Sequence, residues 1–342
     1  MSELYLIGDK AVQEMLEMPS VIAGVEEIYR LKSTNEAGVF PVITHEWIQG
    51  LKDMDIKSGY IGGDIHIYGL KALTYIESND KKGLPRLNGT MMIFDSDNGQ
   101  LKGIIDSRSV TGLRTGAAGS IGSKYLARED STTLLLVGTG NQAFFNLAGN
   151  LLTMDSIKRV LAYDPIAPEM AESFVKTAKV RLSDGILKKN KELVEKISLE
   201  KVDSLEVACG QADIITTITP SLSPLVMKEW VRPGTHINCI GADMAEKQEI
   251  DGGLLSKAKV VVDDILQSTT LGELEVSIKK GDYQKEKIHG EIGSVISGDI
   301  EGRISDEEIT VFDTTGLALQ DLIVASILID KADKLKMEKV DL

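Results

Sequence analysis

Three residues in this 342-residue chain sit where their side chains can do chemistry. Lys71 lies among Leu70, Ala72 and Leu73, in a run that reads as a strand. An unpaired ammonium is costly to bury, so Lys71 must reach an edge, a cavity or an opposite charge. Arg114 lies in Thr111-Gly112-Leu113-Arg114-Thr115-Gly116, with only small neighbours on its C-terminal side. Its planar guanidinium has room to clamp a carboxylate through two parallel hydrogen bonds. Either cation can equally serve a structural ion pair. Asp243, in Gly241-Ala242-Asp243, follows the strand-like run His236–Ile240. Open α/β sheets bind ligands at the carboxyl ends of their strands, and a carboxylate there can exchange a proton with a substrate nitrogen while hydride moves at the adjacent carbon. The plain alternative for Asp243 is a solvated loop aspartate.

The most specific local motif is Gly138-Thr139-Gly140-Asn141-Gln142-Ala143, between the apolar run Thr133–Val137 and an amphipathic segment. Strand, glycine loop and helix in that order are the context of a dinucleotide fingerprint. Gly138 permits the tight turn, and Gly140 lets the backbone approach a pyrophosphate lying on the helix N-terminus. Ala143 takes the place of the third glycine. Asp164 ends the second strand, where a carboxylate accepts from ribose hydroxyls and repels a 2′-phosphate, so NAD(H) is expected over NADP(H). Asp164 can also simply cap the helix that follows. Thr217-Ile218-Thr219-Pro220 forms a further strand-end loop.

These residues need a scaffold. From Leu134 onward strands and helices alternate: Leu134–Val137, Arg159–Tyr163, Ile214–Thr217, His236–Ile240 and Val260–Val262 read as strands of one parallel sheet. The expected fold is α/β, a Rossmann doubly wound parallel sheet over 128–304. Before it, two short helices open the chain, with Asp9 capping the first and Pro19-Ser20 opening the second. Strand-like runs follow at Val39–Ile48, Ile56–Ile67, Leu70–Glu77, Met91–Asp95 and Leu101–Asp106, separated by turn chemistry at Asp80–Gly83 and Asp95–Gly99. This makes an α+β unit over 1–127, completed by 305–342, where Ile309–Phe312 and Gly316–Lys331 return as the last strand and helix. Ser109–Ala127 is dense in small residues that weaken a helix, so close packing must hold it. The lysine-rich stretch 180–200 reads as a solvated helix and loop.

Composition excludes several classes. Lys+Arg 38 against Asp+Glu 52 gives a net charge of −14, a poor match to a nucleic-acid backbone. No run is long and apolar enough for a membrane span, and the start resembles no secretory signal. A cytoplasmic location is expected. Two cysteines, Cys209 and Cys239, give no disulfide framework, and the four histidines have no metal-ligand spacing. His236, within a sheet strand, reads as an interior histidine, and no metal is expected.

Lys81-Lys82-Gly83-Leu84-Pro85, Ser109–Leu126 with its Leu-Arg-Thr-Gly-Ala-Ala-Gly core, Thr235–Glu249 and Asp306–Asp321 together resemble the ornithine cyclodeaminase/μ-crystallin family, nearest its archaeal-type alanine dehydrogenase branch. The resemblance spans nearly the whole chain. It implies a homodimer formed through the first domain, an NAD cofactor and an amino- or imino-acid substrate. It assigns Arg114 to the substrate carboxylate, makes Lys71 the lysine facing the substrate and Asp243 the acid/base aspartate. Gly138, Thr139, Gly140, Asn141, Gln142, Asp164, Thr219 and Ile240 match cofactor-contacting positions, and Thr115 touches a phosphate. Gly241 and Gly316 are expected with them, and Thr90 among the substrate contacts. The chain departs from the family at Pro41-Val42-Ile43, where many members have Pro-x-Arg. It departs again at Lys57-Ser58-Gly59-Tyr60, where cyclodeaminases have an acidic residue before Met-Pro; Lys57 stands in as a basic substrate residue. The resulting expectation is an NAD-dependent amino-acid dehydrogenase or imine reductase. Its competitors are a cyclodeaminase using bound NAD catalytically and a nucleotide-binding regulatory or storage protein.

Overall fold

The structure, a computed structural model, describes residues 3–48 and 51–341. Two compact units divide the chain: one runs to Arg114 and resumes at Leu317, and the other is Thr115–Gly316. The division therefore falls at 114/115 and 316/317 rather than at 127/128 and 304/305. The small residues explain the first shift. Most of the helix Arg108–Leu126 belongs to the second unit, where a Cβ on Gly116 would lie 2.3 Å from the Phe145 carbonyl oxygen. One on Gly122 would lie 2.4 Å from Asn238 Oδ1. Close backbone contact offsets the helix propensity that the glycines give up.

The first unit is a mixed sheet of β1 (Glu3–Ile7), β2 (Ala37–Val39), β3 (Ile43–Ile48), β4 (Lys52–Ile61), β5 (Ile67–Ile76), β6 (Leu87–Asp95) and β7 (Leu101–Asp106). The order is β1-β7-β6-β5-β4-β2, with β3 also on β4; only β1 and β7 run parallel. β1 escapes a reading by alternation, because Leu4 and Tyr5 are both buried. Asp9 does not cap the first helix, which begins at Asp9 itself; its carboxylate accepts the Ser109 N–H at 3.0 Å. Pro19 does lie in the first turn of the second helix, Met18–Ser33.

Lys57, Lys71 and Met91 are directly opposite one another on β4, β5 and β6, so all three project from one face. The C-terminal helix Ala318–Lys334 packs on that face, with Leu319 over Gly59 and Leu322 over Gly69. Tyr68, stacked on Phe94 with ring centroids 5.0 Å apart, lies on the other face.

The second unit is an all-parallel sheet of β8 (Thr133–Val137), β9 (Arg159–Tyr163), β10 (Ser198–Lys201), β11 (Ile214–Thr217), β12 (His236–Cys239), β13 (Lys259–Val262), β14 (Gly290–Glu291) and β15 (Thr310–Asp313). Their order is β10-β9-β8-β11-β12-β15-β13-β14, the doubly wound arrangement. Its inner strands β8, β9, β11, β12, β13 and β15 are buried almost throughout because both faces are covered. One expectation fails here. β15 lies between β12 and β13 and does not return to the first unit; only the helix after it does. Thr310–Asp313 is wholly buried, as a central strand must be. The lysine-rich stretch supplies two helices, Pro168–Asp184 and Lys191–Glu195, and then the edge strand β10, whose solvent exposure explains its polar sequence. Among the described residues no helix is long and apolar enough to cross a membrane.

Candidate active site

In the first unit, β5 presents Lys71 to the C-terminal helix. Lys71 Nζ lies 2.7 Å from Asp321 Oδ2, and Arg114 Nε lies 3.4 Å from Asp321 Oδ1. All three side chains are buried. Arg114 Nη1 donates to Gln320 Oε1 at 3.0 Å, and Gln320 Nε2 donates to the Tyr29 hydroxyl at 2.6 Å. Lys57, also buried, adds its charge from β4. Burial, with Arg114 and Lys57 acting the same way against Asp321, lowers the Lys71 pKa to about 8. Burial would raise Asp321, but Lys71, Arg114 and Lys57 outweigh it and hold its carboxyl below the usual carboxylate range. One carboxylate thus answers several cations in a nearly dry setting. Such a site favours a second anion.

Thr90 is not part of it. Its partner across β5 is Ala72, so it points to the face opposite Lys71, and Met91 takes the place beside the lysine.

In the second unit, Gly138 has φ +103, a conformation open to glycine but not to bulkier residues. A Cβ on Gly140 would meet nothing within 4 Å, so backbone and open space face each other where the helix Asn141–Thr153 begins. That helix start has no side-chain cap, and Gln142 Oε1 is buried without a hydrogen-bond partner. The cradle fits a dinucleotide pyrophosphate. Asp164 ends β9, and its carboxylate accepts from Thr139 N and Oγ1 at 3.0 and 2.7 Å and from Ile166 N and Ala167 N at 3.1 and 3.0 Å. Burial pushes its pKa up and these hydrogen bonds push it down; the bonds prevail. Asp164 is both the acid at the end of the second strand and the clasp of the glycine loop.

Glu249 organises the remaining strand ends, a role that sequence reading missed. One of its oxygens accepts from Thr219 N at 2.6 Å and Thr219 Oγ1 at 2.7 Å. The other accepts from Gly241 N and Thr217 Oγ1, both at 2.8 Å. Burial raises its pKa, and the same hydrogen bonds moderate the rise. The loops after β11 and β12 are so close that a Cβ on Gly241 would stand 2.1 Å from the Thr219 carbonyl oxygen. A carboxylate between the polar Gln248 and the apolar Ile250 was the available signal, since acidic residues are rarely fully buried without several donors. Asp263 plays the same part for the loop after β15, accepting from Gly316 N at 3.0 Å and from the Thr314 and Thr315 hydroxyls.

Ile240 is buried at the end of β12, and Thr115 lies buried beside Gly116. Asn141 is exposed in the glycine loop. Asp243 is half exposed and accepts from Lys247 Nζ at 2.6 Å. His236 is the interior histidine expected: its ring nitrogens meet Thr310 Oγ1 and Asn238 Oδ1 at 2.9 and 3.0 Å, and burial lowers its pKa to about 3. Both cysteines are free and buried, and no metal-binding group occurs among the described residues.

A glycine loop on a doubly wound sheet, with an acid closing the second strand, defines a dinucleotide-binding protein. The sequence profile of the ornithine cyclodeaminase/μ-crystallin family matches residues 8–336. The chain belongs to that family. It is 37% identical over 333 residues to alanine dehydrogenase of Archaeoglobus fulgidus, covering 96% of this chain and 95% of the relative. Iminosuccinate reductase of Paracoccus denitrificans is 30% identical over 332 residues, with 96% and 97% covered. A solved archaeal alanine dehydrogenase dimer with bound NAD superposes with a TM-score of 0.89 at 36% identity, covering 99% of both chains.

Replacing Glu249 with Gln tests the clamp. A glutamine keeps one acceptor oxygen but turns an NH2 toward two donors, and the Gly241 N–H cannot reverse its role. The dissociation constant for NADH, read by fluorescence titration, is expected to rise about tenfold, or ~1.4 kcal/mol. Unchanged NADH affinity would show that the two loops do not depend on Glu249.

Proposed function

We propose that this protein is an NAD-dependent oxidoreductase acting at the C–N bond of a small amino acid or its imino acid, as an alanine dehydrogenase or ketimine reductase does. The observation that carries the reading is the buried Lys71–Asp321–Arg114 cluster. A net acidic chain concentrates buried positive charge there, and an amino-acid carboxylate is the complementary ligand. The family match and the glycine loop supply the cofactor side.

When bound, the nicotinamide supplies the hydride acceptor or donor. Gly138, Gly140 and the helix start after them would hold its pyrophosphate, and Asp164, at the end of the second strand, would be the acid available to the adenosine ribose. Arg114 binds the substrate carboxylate. In the reductive direction Lys71, as the ammonium, hydrogen-bonds the imino acid and draws electron density away from its carbon. The family resemblance gives Asp243 the acid/base role, and its half-exposed carboxylate can exchange protons with solvent. In the oxidative direction the amine loses a proton, its Cα–H bond gives up a hydride to the acceptor, a C=N bond forms, and water then adds with release of ammonia.

The oxidoreductase and cyclodeaminase chemistries part on stoichiometry. Here an amino acid and NAD+ are expected to give one NADH per turnover; ammonia release without net NADH would identify the cyclodeaminase. Arg114→Ala is expected chiefly to raise KM, because carboxylate binding is common to ground and transition states. Asp243→Asn is expected to lower kcat by about 10²–10⁴-fold. Because Lys71 must stay protonated, reductive kcat/KM falls as pH rises through about 8. Near wild-type kcat in Asp243→Asn, or a flat profile from pH 7 to 9, contradicts these roles.

The protein acts as a homodimer through its first unit. Phe40, Ile43, Trp47 and Tyr60 are exposed apolar side chains on or beside β2, β3 and β4, more apolar surface than one small edge sheds into water at no cost. The solved archaeal alanine dehydrogenase that superposes on this chain is itself a dimer. The double variant Ile43→Glu, Trp47→Glu is expected to be a monomer by light scattering, whereas an unchanged mass would move the interface elsewhere.

A further inference from the structure

Asp321 has no part in the roles assigned so far, yet both of its oxygens face cations of the substrate site. It lies in the first turn of the helix Ala318–Lys334, on the side packed against the sheet, and is 1% exposed. Gln320, its neighbour, is fully buried and ties Arg114 to Tyr29. A carboxylate in so apolar a stretch of helix is expensive unless it is paired, and packed aliphatic residues in place of the whole cluster of Lys71, Arg114 and Asp321 would fill the space without that cost. Its presence among these cations suits a task that needs a fixed negative charge.

We propose that Asp321 is the positioning residue of the substrate site, holding Lys71 through one carboxylate oxygen and Arg114 through the other so that both cations face the substrate at a set separation. Lys71 Nζ at 2.7 Å is the tighter contact, and Arg114 Nε at 3.4 Å the looser. That difference leaves the guanidinium able to take a second carboxylate while the ammonium stays anchored. Asp321 also decides whether Lys71 carries its proton. The charged groups that act on Lys71 are Asp321 from the helix, Arg114 from the segment after β7, and Lys57 from β4. Burial, Arg114 and Lys57 all disfavour the ammonium, and Asp321 alone favours it. Without the carboxylate, every remaining influence drives Lys71 toward the neutral amine, and the proton that polarises the imino acid is lost at working pH.

The functional importance of this assignment rests on the reading of Lys71 as the substrate-facing ammonium, but the decisive measurement does not need turnover. The lysine ε-carbons of the NADH-loaded enzyme are labelled with ¹³C, and the Lys71 signal is assigned by its disappearance in Lys71→Arg. The signal is then titrated in the wild type, Asp321→Asn and Asp321→Glu. Its midpoint is expected to fall by at least about one pH unit in Asp321→Asn and to return toward the wild-type value in Asp321→Glu. A midpoint unmoved in Asp321→Asn overturns the proposal. If that variant does not fold, the wild type decides: with ¹³C-labelled aspartate, the Asp321 carboxyl signal must shift at the same midpoint as Lys71, and a signal flat through the Lys71 titration overturns the proposal. The alkaline limb of reductive kcat/KM is expected to move with the Lys71 midpoint. A moved midpoint in an enzyme that turns over no amino or imino acid would refute the functional reading and leave the placement of Asp321 standing.

Discussion

The ion pair between Lys71 and Asp321 is the contact on which the first unit depends. It joins a strand near residue 70 to a helix near residue 320, and both partners are nearly inaccessible to water. Taking two charges out of water costs several kcal/mol per ion, which only close geometry and further partners offset. Both chain ends must therefore meet on one sheet. Leu319 over Gly59 and Leu322 over Gly69 set the depth at which Asp321 enters. Removing either charge leaves the other buried and uncompensated, so the packing of strand against helix draws on both.

The second unit uses a buried carboxylate differently. Glu249 pairs with no cation among its closest contacts; it gathers backbone and hydroxyl donors from Thr217, Thr219 and Gly241. Asp164 does the same for the glycine loop and Asp263 for the loop after β15. Strand-end loops have no ladder to order them, and each of these acids replaces a ladder with a fan of hydrogen bonds. Negative charge in this unit fixes backbone. In the first unit it sets the state of a lysine.

Much of this was legible in the residues. The glycine loop, the five principal parallel strands and the helix that returns to the first unit have local signatures, and Lys71 stood out as a cation in an apolar strand. Arg114 stood out for its small neighbours, and Asp164 for its place at the end of the second strand. What escaped depended on pairings distant in sequence. The face to which Thr90 points follows from the register of β6 on β5, which no local pattern specifies. β15 could be read as a strand but not placed between β12 and β13, and β10 was too short and polar to show. Asp321 and Glu249 were quoted within family-like stretches without a role, because their roles are defined by partners: Lys71 lies 250 positions before Asp321, and Thr219 lies 30 before Glu249.

As proposed above, the buried cluster of Lys71, Asp321 and Arg114 receives a substrate carboxylate beside a lysine poised to change charge. Binding of a small 2-oxo acid such as pyruvate to the NADH-loaded enzyme measures this directly, by calorimetry in buffers of different ionisation enthalpy. An anion arriving beside Lys71 raises its proton affinity, so binding near pH 8 is expected to take up a proton, by about half an equivalent where Lys71 is half ionised beforehand. Uptake should fade toward pH 6, where Lys71 is already charged. Binding with no proton uptake from pH 7 to 9 would contradict the account.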